Sequence, residues 1–282
     1  MLKQRVITAI ALLMVLLPAL FYSTYVPFCA VTLVLITAAA WEWARLNGCR
    51  SVSSYFFGAL CLALCLAAWN VGWLEQSFPR LWLLFGSAWV LAGAGLLRIG
   101  VAGWPGIPRT IRMVGGVFVL CLAWLAMAQA RVIGINFLLS ALVLVWVADI
   151  FAYFAGRAWG GRFSGSRLAP TISPGKSWEG VWGGMAGVVV LAFAWSWGDA
   201  HWGASVPSLF TKLLSDGWWT LLLAAIFMAA MSVVGDLVES LIKRSAGVKD
   251  SSGLLPGHGG VLDRVDALLP TLPLAMMLYS MS

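Results

Sequence analysis

The densest chemistry in the chain lies between residues 236 and 266, DLVESLIKRSAGVKDSSGLLPGHGGVLDRVD. These 31 residues hold nine of the 29 charged side chains and one of the two histidines. Asp236, Glu239, Ser240 and Lys243 follow one another at i, i+3, i+4 and i+7, so a helix carries them on one face. About 18 residues separate Trp218 from Asp236, roughly 27 Å of helix, so the acids fall at a membrane boundary and not at mid-bilayer. A carboxylate there has to be paired, hydrated or bound to metal. A loop with Gly247, Gly253, Gly257, Gly259 and Gly260 comes next. Glycine lets backbone N–H groups approach an anion closely, and Lys243, Arg244 and Lys249 surround the loop with positive charge. Asp263 and Asp266 then sit three residues apart at a helix start, with Arg264 between them. If the two helices are antiparallel neighbours, Asp236, Asp263 and Asp266 converge. A few carboxylates completed by phosphate and water hold Mg²⁺. Acids, Lys/Arg and a glycine loop together equip a chain for phosphoryl or nucleotidyl transfer. The alternative use of the same residues is a set of interfacial ion pairs that closes a loop, with His258 as a turn residue between two glycines.

A second region, 149–180, carries Asp149 near the end of an apolar run, Tyr153 one turn on, and then LAPTISPGKSWEG. Pro170 and Pro174 forbid a continuous helix, and Ser173, Lys176 and Ser177 offer contacts to phosphate. Gly175-Lys176-Ser177 is not a P-loop, because Pro170 stands where that motif needs glycine. Glu179 is a candidate cap for the helix that follows. Elsewhere, Glu42 and Arg45 are spaced to pair with each other, and His201 falls in a loop.

The elements that must position these groups are apolar. Of 282 residues, 61% are hydrophobic and only 10% are charged, where a soluble domain carries about 25%. The mean hydropathy is +0.92. These values exclude a soluble enzyme, a disordered chain and a disulfide scaffold, and the long unbroken apolar runs exclude a β-barrel. The fold class is therefore all-α and polytopic, with about nine transmembrane helices near 6–22, 26–43, 55–73, 81–97, 113–130, 135–154, 178–197, 218–239 and 266–281. Nine spans place 15 of the 18 Lys and Arg on the N-terminal side, which puts the N-terminus in the cytoplasm. Trp41, Trp43, Trp73, Trp197 and Trp218 fall at span ends, as an interfacial belt does. The five cysteines show no metal spacing, and Cys61 and Cys65 read as small apolar filler. Residues 1–130 read as scaffold and lipid contact. Residues 131–282 carry cytoplasmic-face catalytic loops at 155–178 and 240–266.

At these residues the sequence resembles the phosphatidate cytidylyltransferase family. The C-terminal pattern stands complete as Ser240, Lys243, Arg244, Lys249, Asp250, Pro256, His258, Gly259, Gly260, Asp263, Arg264 and Asp266. Gly235–Asp236, Glu239–Ser240, SPGKSWEG at 173–180 and AAWEWARL at 39–46 match as well. Ile150 departs from the pattern, where a small or hydroxyl residue is expected after Asp149. The resemblance implies an enzyme that joins CTP and phosphatidic acid into CDP-diacylglycerol and pyrophosphate, at the inner face of the bacterial cytoplasmic membrane. It implies Mg²⁺ on Asp236, Asp263 and Asp266, with a second cation left open, and Lys243 as a further catalytic group. Asp149, Ser173, Lys176, Ser240, Arg244, Lys249, Asp250, His258, Gly259, Gly260 and Arg264 would bind substrate. The partners implied are CTP, phosphatidic acid and the lipid bilayer, with no nucleic acid; a homodimer stays open. The rival readings are a CTP-dependent lipid kinase that moves the γ-phosphate, and a multi-pass transporter.

Overall fold

The computed structural model describes residues 2–282 as a bundle of long helices. The first six are α1 (Leu2–Phe21), α2 (Val26–Leu46), α3 (Ser51–Asn70), α4 (Pro79–Gly103), α5 (Arg109–Ile133) and α6 (Ile135–Trp159). A hairpin of two short strands follows, β1 (Arg167–Ala169) and β2 (Ser173–Ser177). The chain then runs through α7 (Trp178–Trp202), α8 (Leu209–Ser215), α9 (Trp218–Ser245), α10 (Leu262–Val265) and α11 (Leu268–Met281).

Among the described residues, eight helices are long and apolar enough to cross a membrane: α1 to α7 and α9. The expected ninth span becomes α11, with 14 residues, about 21 Å long against a bilayer core of about 30 Å. It packs against α4, α5, α6, α8 and α9, and residues 269–276 are all buried. A helix walled in by protein need not span the lipid by itself. Among the described residues the hairpin is the only pair of strands. It is antiparallel, with Arg167 opposite Ser177 and Ala169 opposite Ser173, and it occupies the stretch from which the two prolines exclude helix.

The most extensively packed helix pair is α6 with α7. On α7 the small residues repeat as Gly180-x-x-x-Gly184 and Gly183-x-x-x-Gly187, a spacing that lets helices in lipid approach backbone to backbone. A Cβ on Gly184 would lie 2.9 Å from the carbonyl of Ala148, and one on Gly180 would lie 3.0 Å from that of Ala152. This contact sets the height of Asp149 on α6 against the hairpin that leads into α7.

Some polar and aromatic side chains take other places than their sequence position suggests. Trp43 turns inward, packs edge-on to Trp104 and donates its Nε1–H to the Arg112 carbonyl at 3.1 Å, whereas Trp197 and Trp218 are exposed at helix ends. His201 lies in the last turn of α7, stacked on Trp197, and not in a loop. Cys121, sixty residues from Cys61 in the chain, brings its Sγ within 3.6 Å of Cys61 Sγ. Together with Cys65 they form the one trio of metal-capable ligand atoms found within 4.8 Å of one another among the described residues. Sequence spacing hides that cluster because it spans two helices.

Replacing Gly184 with leucine forces α6 and α7 apart at a backbone contact. The expected loss is about 1–3 kcal/mol, the usual penalty for overpacking. It should appear as an earlier midpoint when the purified protein is unfolded in SDS, with Gly115→Leu, which meets open space, as the neutral control.

Candidate active site

Three elements meet at one end of the bundle: the last turns of α9, the β-hairpin, and the loop 246–261 with α10. Ser177 opens α7 by accepting the Gly180 N–H at 3.2 Å. Glu179, expected as that cap, instead turns back and accepts the N–H groups of Gly161, Phe163 and Ser164 at 2.8–3.0 Å. It holds the entry to the hairpin and so sets where β2 lies. From β2, Lys176 reaches across to Asp236 on α9, Nζ to Oδ2 2.5 Å. One turn later on the same face, Ser240 donates to Asp236 Oδ1 at 3.2 Å. A further turn on, Lys243 pairs with Glu239 and with Asp263.

Asp263 opens α10 and faces the loop. Its Oδ1 accepts from Lys243 at 2.6 Å. Its Oδ2 accepts from Gly260 N–H at 2.7 Å and from the N–H and hydroxyl of Ser251, both at 2.9 Å. Burial by itself raises the Asp263 carboxyl, but the Lys243 hydrogen bond, the Gly260 N–H, the Lys243 charge and the Ser251 N–H outweigh it and hold the group below the ordinary carboxylate range.

Asp266 is in the opposite condition. Burial first, then the nearby charge of Asp236, push its carboxyl up to about 7, against the Ala267 N–H and the charges of Lys243 and Lys176. Asp149 lies on α6, the helix packed against α7 and α9. Asp149, Asp236 and Asp266 are hard-oxygen donors of the type that could hold Mg²⁺. Asp263 is brought to the same place, but both its oxygens are spent on Lys243 and the loop. Among the described residues no three carboxylates lie as close together as the cysteine trio.

The remaining expected residues fall in two groups. Lys249, Asp250, His258, Gly259 and Arg264 line one polar pocket of ≈ 670 Å³. Gly257 and Gly259, at φ of +78° and +82°, make its tight turn, in which Leu255 and Gly259 bridge. Gly260 is buried beneath this turn, where a Cβ would collide with Ser251 and Glu42. Ser173 lies at the start of β2. Arg244 is a tether in this conformation: its guanidinium donates to the carbonyls of Ile172 and Val248, both at 3.4 Å, and binds the hairpin to α9.

Sequence reasoning missed two contributors. Gln4 and Arg5 of α1 complete the wall of the polar pocket, and Thr8 on the same helix donates to the Pro256 carbonyl at 2.9 Å. The other is Glu42. It does not pair with Arg45, whose guanidinium lies 4.7 Å over the Trp41 ring. Glu42 is fully buried. It accepts from Ser252 at 2.5 Å, Leu262 N–H at 2.7 Å, Val261 N–H at 3.0 Å and Ser251 at 3.1 Å. The available signal was a lone carboxylate inside an apolar run, which demands a partner.

A charged, glycine-rich site at one end of a polytopic helical bundle fits the class of membrane enzymes that carry out phosphoryl or nucleotidyl transfer. The chain belongs to the cytidylyltransferase family, whose model matches residues 3–282. It is 38% identical over 278 residues to a phosphatidate cytidylyltransferase of Pseudomonas aeruginosa, covering 97% of this chain and 95% of that one. It is 34% identical to one from Haemophilus influenzae, covering 99% of each. A third, from Brucella abortus, is 33% identical over 99% of this chain and 92% of its own.

Glu42→Ala leaves two buried N–H groups and two hydroxyls without their acceptor, at about 1–3 kcal/mol for each buried group left unpaired. Loop 246–261 should then open more often. Tryptic cleavage after Lys249 in the detergent-purified variant should quicken by roughly tenfold or more, since 1.4 kcal/mol is a factor of ten.

Proposed function

We propose that this chain is a phosphatidate cytidylyltransferase, which joins CTP and phosphatidic acid to give CDP-diacylglycerol and pyrophosphate. The observation that carries this reading is the meeting of Lys176, Asp236, Ser240, Lys243 and Asp266 at one end of α9, in a chain whose relatives over nearly its whole length bear that name.

A phosphate oxygen of phosphatidate attacks the α-phosphorus of CTP. The new P–O bond forms as the bond to the β-phosphate breaks, and pyrophosphate leaves. A phosphomonoester with a second pKa near 6 is already mostly dianionic at neutral pH, so no strong general base is needed. The difficulty is to bring two polyanions together. Lys176 and Lys243, now seated on Asp236 and on Glu239 and Asp263, are placed to exchange those partners for phosphate oxygens. The pocket of Arg5, Lys249, His258 and Arg264 receives the triphosphate, with the glycine turn offering N–H groups. Asp236 and Asp266, with Asp149 beside them, would hold Mg²⁺; Asp263 would join them only by releasing Lys243. Bound there, Mg²⁺ supplies neutralisation of phosphoryl charge and polarisation of the reacting centre. The balance of Lys and Arg supports a cytoplasmic N-terminus and a site facing the cytoplasm in a bacterial inner membrane.

The test uses purified protein, phosphatidic acid, Mg²⁺ and CTP labelled at either the α- or the γ-phosphate. The α label should enter the chloroform-soluble lipid and the γ label should leave as pyrophosphate. Entry of the γ label alone would mean a lipid kinase. The two aspartates should separate in the same assay. Asp266→Asn should raise the Mg²⁺ concentration for half-maximal rate by about tenfold or more, whereas Asp263→Asn should lower kcat with a smaller change in that requirement.

A further inference from the structure

Next to the carboxylate cluster lies a second, apolar cavity of ≈ 480 Å³, lined by residues of α2, α4, α5, α9 and α11 and open along the α4 side, where Ala88, Ala92 and Ile99 are exposed. Its size falls in the range of ligand pockets, about 300–1,000 Å³. Two α9 residues, Gly235 and Glu239, belong to its wall, and they flank Asp236, so the cavity ends against the site. Its walls are hydrocarbon and aromatic, yet they carry three buried donors. The indole N–H groups of Trp89 and Trp104 and the Nε–H of Arg112 have no acceptor among the described residues. Trp89 and Trp104 are 7% and 5% exposed. Trp104 and Arg112 are neighbours, with the guanidinium 5.6 Å from the indole ring. Arg112 is further tied to Asn47 at the end of α2 by a 3.3 Å hydrogen bond, which puts this pair at the same end of the bundle as the catalytic loop.

Buried N–H groups left unpaired are costly, and they call for an acceptor that brings no donor of its own. A hydrocarbon wall calls for a hydrocarbon occupant. An acyl ester meets both demands, with a carbonyl oxygen at one end and a methylene chain beyond it. Resting on the proposed reaction, we infer that this cavity seats one acyl chain of the phosphatidate substrate, with Trp104 and Arg112 donating to its ester carbonyl. Trp89, on α4, lines the methylene stretch of the cavity, and its N–H is not met by the ester. The phosphate end of the lipid then lies on the Glu239 and Asp236 side, where Lys243 and Lys176 wait. On this account the enzyme recognises the diacylglycerol half of its substrate by its ester linkage as well as by its phosphate.

The first test reads binding without CTP. Phosphatidate with brominated acyl chains should quench wild-type tryptophan fluorescence saturably, while brominated phosphatidylcholine should not. Ala92→Phe, which fills the cavity from the α4 wall, should raise the quenching midpoint at least fivefold. The same variant should raise KM for long-chain phosphatidate at least fivefold and leave KM for dihexanoyl phosphatidate and for CTP within twofold. An unchanged midpoint, or equal rises in KM for both chain lengths, would overturn the assignment. The second test uses Trp104→Phe, which keeps the ring and removes the donor. KM for the diester should rise about fivefold and KM for the diether analogue should not move; equal effects on both would overturn the ester contact. Quenching that responds to Ala92→Phe in a protein that turns over no phosphatidate would sink the reaction and leave the cavity standing.

Discussion

A carboxylate sealed inside a helical bundle must be given donors or it unfolds what surrounds it, and at Glu42 that demand organises the whole site. Four donors from the 251–262 segment converge on its two oxygens. Two of them are backbone N–H groups at the start of α10, where a helix leaves its donors unmet and favours negative charge. Asp263 does the same work one layer out, gathering Ser251 and Gly260. The glycine-rich loop is therefore ordered by two acids, one from the second helix and one from the loop's own exit. Gly260 must be glycine, because any side chain would occupy the space where Ser251 and Glu42 meet.

With the loop set, the cations have few places to go. Lys243 is shared by Glu239 and Asp263, and Lys176 is drawn from the hairpin onto Asp236. The Lys176–Asp236 pair is partly exposed, whereas Lys243 and its two acids are largely buried. Asp266 has both burial and the like charge of Asp236 to contend with. The apolar architecture serves the same end. Because α11 is walled in by protein it can be short, and because α6 and α7 meet through glycines the hairpin is held close to α9.

Much of this was legible from one sequence. The spans followed from the length of the apolar runs, and the charged cluster at the end of α9 from dense charge and glycine in an otherwise apolar chain. Asp236, Ser240 and Lys243 share a helix face because 3.6 residues make a turn, and the structure keeps them on it. The short α11 was not legible, since a mostly apolar run of 16 residues looks alike whether lipid or protein surrounds it. Glu42 was misread for a related reason: an acid three residues from an arginine looks paired, and only packing reveals that the arginine lies on Trp41.

What the sequence determined by itself is whatever depends on neighbours along the chain: the membrane-spanning class, the helical face of acids and lysine, the turns that need glycine, and through them the family. What only the tertiary structure decided depends on groups far apart in the chain. Glu42 meets Val261 across 219 positions, Lys176 meets Asp236 across 60, and the apolar cavity borrows its walls from five helices. Local spacing sets which side chains can share a face. The low dielectric of the interior then decides which distant partner each buried charge must find, and no local pattern encodes that choice.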